Sequence, residues 1–285
     1  MSVGFSDLNL RPANKADVRS LCLAALEAGF KTVAVNTEVD ANVFAKKGKK
    51  GETDGSKIIP EPLDLDILKK ELDGRLQILQ RLTVQIADSL QAHKLFQSNA
   101  VMKYDILAVQ PLNPQAFQHA CASMDVDIVS FDATDCAPLK AARKVVRQAR
   151  ERGVYFEAQY WPLVSSSATR RNTIAIMHSL HAVGRGRALV VLTSGAAAPN
   201  HLRSPYDVAN LALLLGLSEE SAKNCMRHAT RNVLLNAQAR RMGKGMVFGQ
   251  VTRPVNDKIV EENGIPPTKR RKKDSSASQQ VSAAG

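Results

Sequence analysis

Several things are scarce in this sequence, and each shortage closes off a class of function. Four cysteines occur in 285 residues, Cys22, Cys121, Cys136 and Cys225, with no C-x-x-C pair and no zinc-ligand spacing. Scattered thiols are expected to be reduced and mostly buried, as in an intracellular chain, rather than a disulfide framework. No stretch of about eighteen uncharged apolar residues appears, so neither a membrane span nor a membrane partner is expected. The opening MSVGFSDLNL has neither the basic region nor the long apolar run of a signal peptide. Aromatic residues make up 5%, too few to advertise a stacking platform for unpaired bases. No Walker-type loop, no H-E-x-x-H and no G-x-S-x-G occurs, and no G-x-G-x-x-G follows the first strand.

Positive charge is plentiful: 39 Lys and Arg against 27 Asp and Glu give a net +12. Residues 252–285 and the Gly/Lys-rich stretch 46–57, KKGKKGETDGSK, carry a net +3 each, which leaves +6 on the remaining body. A body that is basic without its low-complexity parts points to a polyanionic partner, most simply nucleic acid.

Strand and helix patterns alternate along the chain. VGFSDLNL, KTVAVNT (31–37), LQILQRLTVQI (76–86), DILAVQP (105–111), VDIVSFDA (126–133), YFEAQYW (155–161) and ALVVLTSG (188–195) read as buried parallel strands. Helices are expected at 15–28, 62–72, 88–100, 114–123, from Pro138 to about Arg152, and at 168–183. Seven βα units with short connections predict an α/β fold, an irregular TIM-type barrel over residues 1–251 with a flexible basic loop at 46–57. An open doubly wound sheet is the competitor. Past about residue 252, Pro, Asn, Lys and Ser dominate and a disordered basic tail is expected. Within it, Lys269, Arg270, Arg271, Lys272 and Lys273 form a run that predicts nuclear localisation.

Barrel enzymes carry their chemistry at the carboxyl ends of the strands, so those positions decide whether this is a catalyst. A divalent-metal site needs several His and carboxylates converging there. Asp7 and Glu38 are the early carboxylates, Asp132 and Asp135 follow the fifth strand, and the seventh strand ends Ser194-Gly195-Ala196-Ala197. His178 and His181 lie on an outer helix, His119 reads as a packing residue, and His201 alone makes no ligand set. No catalytic residue, metal ligand or cofactor is expected. At Ser204-Pro205-Tyr206-Asp207 the residues suit an N-cap, a first helical position and a capping box.

On SPYDVANLALLLGLSEESAK (204–223), with FSDLNLR, RLT (81–83), QHACASMDVDIV (118–129) and ATRRNTIAI (168–176), the chain resembles the TIM-barrel protein subunit shared by ribonuclease P and RNase MRP. That family resembles a degenerate form of the polymerase and histidinol phosphatase type of metal-dependent phosphoesterase. Where those enzymes place the histidines of D-L-H-x-H, this sequence has Asn9 and Arg11. Thr37 and Glu38 stand for their Asp-His pair, and Ser194-Gly195-Ala196-Ala197 for their S-D-A-H. Arg11 thus puts a side-chain cation where the resemblance implies a metal once sat.

The resemblance implies a subunit without catalysis of its own, in a ribonucleoprotein that removes 5′ leaders from precursor tRNA. Implied partners are the ribonuclease P RNA, the RNase MRP RNA (which acts in rRNA processing), precursor tRNA indirectly, a small ferredoxin-like protein subunit and the other proteins of these particles. Nucleus and nucleolus are the implied locations. A metal-dependent phosphoesterase is the alternative. A DNA-reading helix-turn-helix over 204–235 ranks lower, because Glu219 and Glu220 would open its recognition helix.

Arginine forks suit phosphates, and RNA helices are read largely through backbone and shape. The expected RNA footprint is therefore Arg170, Arg171, Arg203 and Arg11, with Arg81 added. A second basic stripe, Lys140, Arg143, Lys144, Arg147 and Arg150, is expected on the outward face of the 138–152 helix, with Leu139, Ala142, Val145, Val146 and Ala149 inward.

Overall fold

Largely apolar runs, buried over most of their length, assemble here into a parallel sheet with the order β1 to β7 in sequence. A computed structural model describes residues 4–40, 59–87, 99–134 and 142–243. The loop at 46–57, most of the helix expected at 88–100, Cys136, Pro138, Lys140 and the whole of 252–285 with Lys269 to Lys273 lie outside the described residues. The strands are β1 (Ser6–Leu10), β2 (Thr32–Val39), β3 (Gln77–Ile86), β4 (Ile106–Pro111), β5 (Ile128–Val129), β6 (Tyr155–Gln159) and β7 (Val190–Thr193). The helices are α1 (Lys15–Ala28), α2 (Asp66–Glu71), α3 (Pro114–Ala122), α4 (Arg143–Glu151), α5 (Trp161–Ser165), α6 (Ser167–Gly184), α7 (Pro205–Leu211) and α8 (Glu219–Met242).

The barrel architecture is the expected one, and β5 is its largest local departure. Of the eight-residue run 126–133 only Ile128 and Val129 ladder with both neighbours. Past them the chain leaves the ladder, and Asp132 accepts from the Thr134 backbone and hydroxyl in a local turn.

With no eighth strand among the described residues, the seam between β7 and β1 is fastened by individual groups. Leu10 and Ala196 form one parallel bridge, and the Arg11 N–H donates to the Ala196 carbonyl at 2.7 Å. Asp7 Oδ1 accepts from the backbone N–H of Ser194 at 3.0 Å and of Asn9 at 3.2 Å. Ser194 Oγ donates to the Asn9 carbonyl and accepts from the Ala196 N–H. The register of β1 on β2 shifts between Asp7 and Leu10, and all five residues of β1 are buried.

Helix α8 covers the amino ends of the strands. Arg240 donates two bonds to Asp127, just before β5, Arg241 pairs with Asp105 before β4, and Asn236 reaches the Gly153 carbonyl before β6. Val233 packs with Leu8, Ala34, Ile106, Ile128 and Val191. The amino half of the interior is therefore apolar and closed, and the polar inward residues gather at the carboxyl half.

Candidate functional site

Alternation along parallel strands fixes which side chains share the inner face. Following Ala34, Leu79, Tyr155 and Val191, the next inward residues are Asn36, Arg81, Glu157 and Thr193. All four of these are buried. They form one closed network. Arg81 holds Glu157 through both guanidinium nitrogens, at 2.5 and 2.7 Å, with both side chains 0% exposed. Arg81 Nε donates to Thr83 Oγ1, which donates to Asn36 Oδ1. Asn36 Nδ2 donates to Asn9 Oδ1, and Asn9 Nδ2 returns the ring to Glu157. Thr193 and Gln159 add two further donors to that carboxylate.

The expectation that Arg81 contacts RNA is therefore wrong. It is completely buried and fully committed to a buried carboxylate and the Leu8 carbonyl. It also takes the role expected of Arg11, that of the side-chain cation at the centre. Arg11 stands instead at the rim, 43% exposed, with its fork on Glu38 at 2.8 Å. Glu38 accepts in turn from Asn36, so rim and interior are one hydrogen-bonded system.

This centre has little capacity for acid–base or metal chemistry. Burial would raise the Glu157 carboxyl, but the Arg81 charge and the bonds from Arg81, Ser130 and Thr193 hold it at about 2. A carboxylate surrounded by donors from Arg81, Asn9, Ser130, Gln159 and Thr193 is neither a base nor a free metal ligand. Its neighbours are Asn, Thr, Gln and Ser, and among the described residues no three His, Cys, Asp or Glu side chains converge as a metal set. The donor set does not fit a divalent cation. The cavity beside Glu157, bordered by Phe131, Gln159, Pro162 and Met177, has about 20 Å³, room for roughly one water. Asp7 Oδ2 is the one buried side-chain polar atom without a partner among the described residues.

Gly195 shows how far the strand end is from accepting a ligand side chain. Its φ is +64°, and a Cβ there would lie 2.6 Å from Gln159 Oε1. Gly195→Ala should lower stability by about 1–3 kcal/mol through backbone strain and displacement of Gln159. A reduced urea midpoint at unchanged m-value is the expected result, and an unaltered midpoint would show that the turn is not strained.

Above this filled interior, the rim is basic, and its Arg170 and Arg203 are hydrogen-bonded to backbone carbonyls. Ser204 caps α7 by accepting from the Asp207 N–H, with Pro205 at the first helical position, as the capping residues led one to expect. Arg203 precedes the cap. Its backbone N–H donates to the Tyr160 hydroxyl, and one guanidinium nitrogen reaches the Asn200 and Leu202 carbonyls. Burial, then the Asp7 charge, pushes the Tyr160 hydroxyl well above its ordinary range, so it remains a neutral anchor. Arg170 sits in the first turn of α6, which Ser166 caps, and its Nε donates to the Leu163 carbonyl. Arg203 and Arg170 are thus both pinned to the segment Tyr160 to Leu163, each keeping N–H groups free of protein partners among the described residues. Arg171 is exposed beside them.

Sequence reasoning missed an aromatic element of the same rim. Trp161 and His201 stack with centroids 3.7 Å apart and planes within 10°. Burial and the neighbouring Arg203 charge lower the His201 pKa, which favours the neutral ring in that stack. A lone Trp and a lone His forty residues apart give no local signal of pairing.

Among the residues of the second stripe, Arg143, Lys144 and Arg147 are exposed and Arg150 is half-buried. Val145, Val146 and Ala149 face inward as expected. Ala142 does not: it is exposed, because it is the N-cap rather than part of the helix. His178 Nε2 donates to the Leu214 carbonyl at 3.1 Å, a helix-packing contact, and Cys22 and Cys121 are buried thiols raised to about 12 by burial.

Comparison with known proteins places the chain in a family. The profile described as RNase P subunit p30 matches residues 4–242. The ribonuclease P protein subunit p30 of Mus musculus is 33% identical over 270 residues, covering 94% of this chain and 98% of that protein. A probable ribonuclease P protein subunit 3 of Schizosaccharomyces pombe is 28% identical over 240 residues, covering 84% and 91%. Among solved structures, a chain of archaeal ribonuclease P with mature tRNA superposes with a TM-score of 0.60 at 14% identity, over 88% of this chain and 99% of that one. A putative histidinol phosphatase of Listeria monocytogenes shares the fold at a TM-score of 0.50 and 9% identity, over 71% and 98%.

Proposed function

Since the chain belongs to the RNase P subunit p30 family, we propose that it is a non-catalytic protein of the ribonuclease P ribonucleoprotein. It braces the catalytic RNA during removal of 5′ leaders from precursor tRNA and docks the other protein subunits. The observation that carries the non-catalytic part is the bidentate Arg81–Glu157 pair, which fills the barrel centre with its own cation. The rim above it, Arg203 and Arg170 fixed to Tyr160 and Leu163 with Arg171 alongside, supports an RNA contact through phosphates. Arg11 contributes less, because its charge is already matched by Glu38. The run Lys269 to Lys273 supports nuclear import, and service in RNase MRP on precursor ribosomal RNA, in the nucleolus, belongs to the same reading.

The test uses the full chain and a transcript of its cognate ribonuclease P RNA. Replacing Arg170, Arg171 and Arg203 together with Ala should make the plot of log K against log salt shallower by about 2–3, roughly one phosphate per arginine. The melting curve should stay close to that of the wild type. No measurable RNA binding by the wild-type chain, alone or with its protein partners, would overturn the functional reading. An unchanged slope in the variant would overturn the footprint.

A further inference from the structure

Away from the rim, α4 and the turn after α6 enclose a groove of about 220 Å³ whose lining includes Arg143, Arg147, Arg150, Arg185 and Arg187. Among the described residues no carboxylate lines it. We propose that this groove is a second RNA-backbone site, gripping a strand segment different from the one at the rim. The proposal rests on the reading of the chain as a ribonucleoprotein subunit.

Its construction is specific. Arg143, Arg147 and Arg150 recur at intervals of four and three on α4, so they project from one helix face along about 10 Å of axis. That length matches a run of about two to three consecutive phosphates. The floor is Val146, Val183 and Gly184. A Cβ on Gly184 would lie 3.3 Å from Val146 and 3.1 Å from Ala188, so glycine lets the α6 end approach α4 and forms the far wall close by.

Two of the five cations come from that wall, and one is held at a cost. Arg185 occupies the left-handed C-cap of α6, with φ 51°, and is the one non-glycine residue with positive φ among the described residues. Glycine or asparagine is the usual occupant of such a cap. A long cation retained in a strained backbone position is the pattern of a functional side chain. Among the described residues, Arg147 has Glu151 at 3.6 Å, an exposed and loose pair, while Arg143, Arg150, Arg185 and Arg187 have no ion pair. Five clustered cations with one weak counter-charge repel one another until a polyanion enters.

The groove and the rim do not share a phosphate. Arg170 and Arg185 lie fifteen residues apart on α6, about 22 Å along its axis. The turn Arg185–Arg187 leads into the amino end of β7, whereas Arg170 and Arg203 flank its carboxyl end. The two sites would therefore hold separate segments of one folded RNA, with the barrel as a rigid spacer. A chain that touches RNA at both ends can set the angle between two helical segments, which is what bracing requires physically.

Backbone cleavage protection of the cognate ribonuclease P RNA, read with the full chain and its variants, tests this. Arg147→Ala/Arg150→Ala/Arg187→Ala should remove one protected segment, leave the rim segment intact, and make the salt slope shallower by about 2–3. The Arg170/Arg171/Arg203 variant should show the reverse pattern. Arg185→Asn keeps a residue suited to the left-handed cap, so it should preserve or raise the melting temperature while weakening protection of the groove segment. Matching lysine substitutions should restore most of the slope. The proposal is overturned if both triple variants lose the same segment, or if wild type protects RNA and the groove variant protects it identically. It is also overturned if the groove variant drops a protein subunit from the reassembled particle with the RNA footprint unchanged, which would make the groove an acidic-protein site.

Discussion

Arg81→Met should lower stability by about 3–5 kcal/mol, because it leaves the Glu157 carboxylate buried without its counter-charge. For a barrel of this size that corresponds to a fall in melting temperature of about 6–20 °C. The loss comes from the partner more than from the pair itself. Glu157 has no exposure, and its carboxyl stays at about 2 only because the Arg81 charge and the hydrogen bonds from Arg81, Ser130 and Thr193 together outweigh burial. With the guanidinium removed, the carboxyl either stays ionised in a poor environment or takes up a proton, and its Asn9 and Thr193 donors then face a weaker acceptor. Arg81→Lys should recover only part, since one ammonium cannot reproduce two parallel bonds plus those to Thr83 and Leu8.

The double variant Arg81→Met/Glu157→Leu separates pairing from packing. Removing both charges relieves the uncompensated one, so it should be more stable than Arg81→Met alone. It should not reach wild type, because Asn9, Thr83, Thr193 and Gln159 each lose a partner. RNA affinity per folded molecule, measured well below the melting transition, should be unchanged in all of these. Lost RNA affinity at wild-type stability would return Arg81 to the RNA footprint and refute the buried role.

The strand positions were legible because runs such as KTVAVNT and LQILQRLTVQI are rich in β-branched and apolar residues without a regular polar alternation, as in a covered parallel sheet. The α7 cap was legible too, since Ser204, Pro205 and Asp207 act within four residues. Arg81 and Glu157 carried a signal that went unused. Each stands inside an otherwise apolar or neutral strand, and a strand covered on both faces offers a charge no water, so both had to find partners inside the barrel. What local sequence does not encode is that the two, 76 residues apart, point to one another. The same holds for Trp161 with His201, and for the arginines of α4 with those of the α6–β7 turn. Such contacts depend on barrel closure, and closure among the described residues runs through one short backbone bridge and the side chains of Asp7 and Ser194 rather than an eighth strand.

At that closing seam, Asp7 should make stability pH-dependent in an unusual direction. Burial, opposed by the Ser194 and Asn9 bonds and reinforced by the Glu157 charge, raises its carboxyl from 3.8 to about 6. Below pH about 4 both folded and unfolded chains hold the proton, and Asp7 contributes no pH dependence. Between 4 and 6 the folded chain keeps a proton that the unfolded chain has released, so stability falls as pH rises. Above 6 the loss is constant, about 3 kcal/mol from a shift of roughly two units at 1.36 kcal/mol each. Asp7→Asn keeps an oxygen for the Ser194 and Asn9 N–H groups but cannot ionise. Its buried amide adds a pH-independent cost of about 1–3 kcal/mol. The difference in stability between variant and wild type should therefore move in the variant's favour by about 3 kcal/mol from pH 4 to 7.5. Parallel urea titrations across that range measure the difference directly, and other titrating groups largely cancel from it. Curves that remain parallel would mean that Asp7 Oδ2 has a donor in solution, and that the seam is held by an ordinary carboxylate.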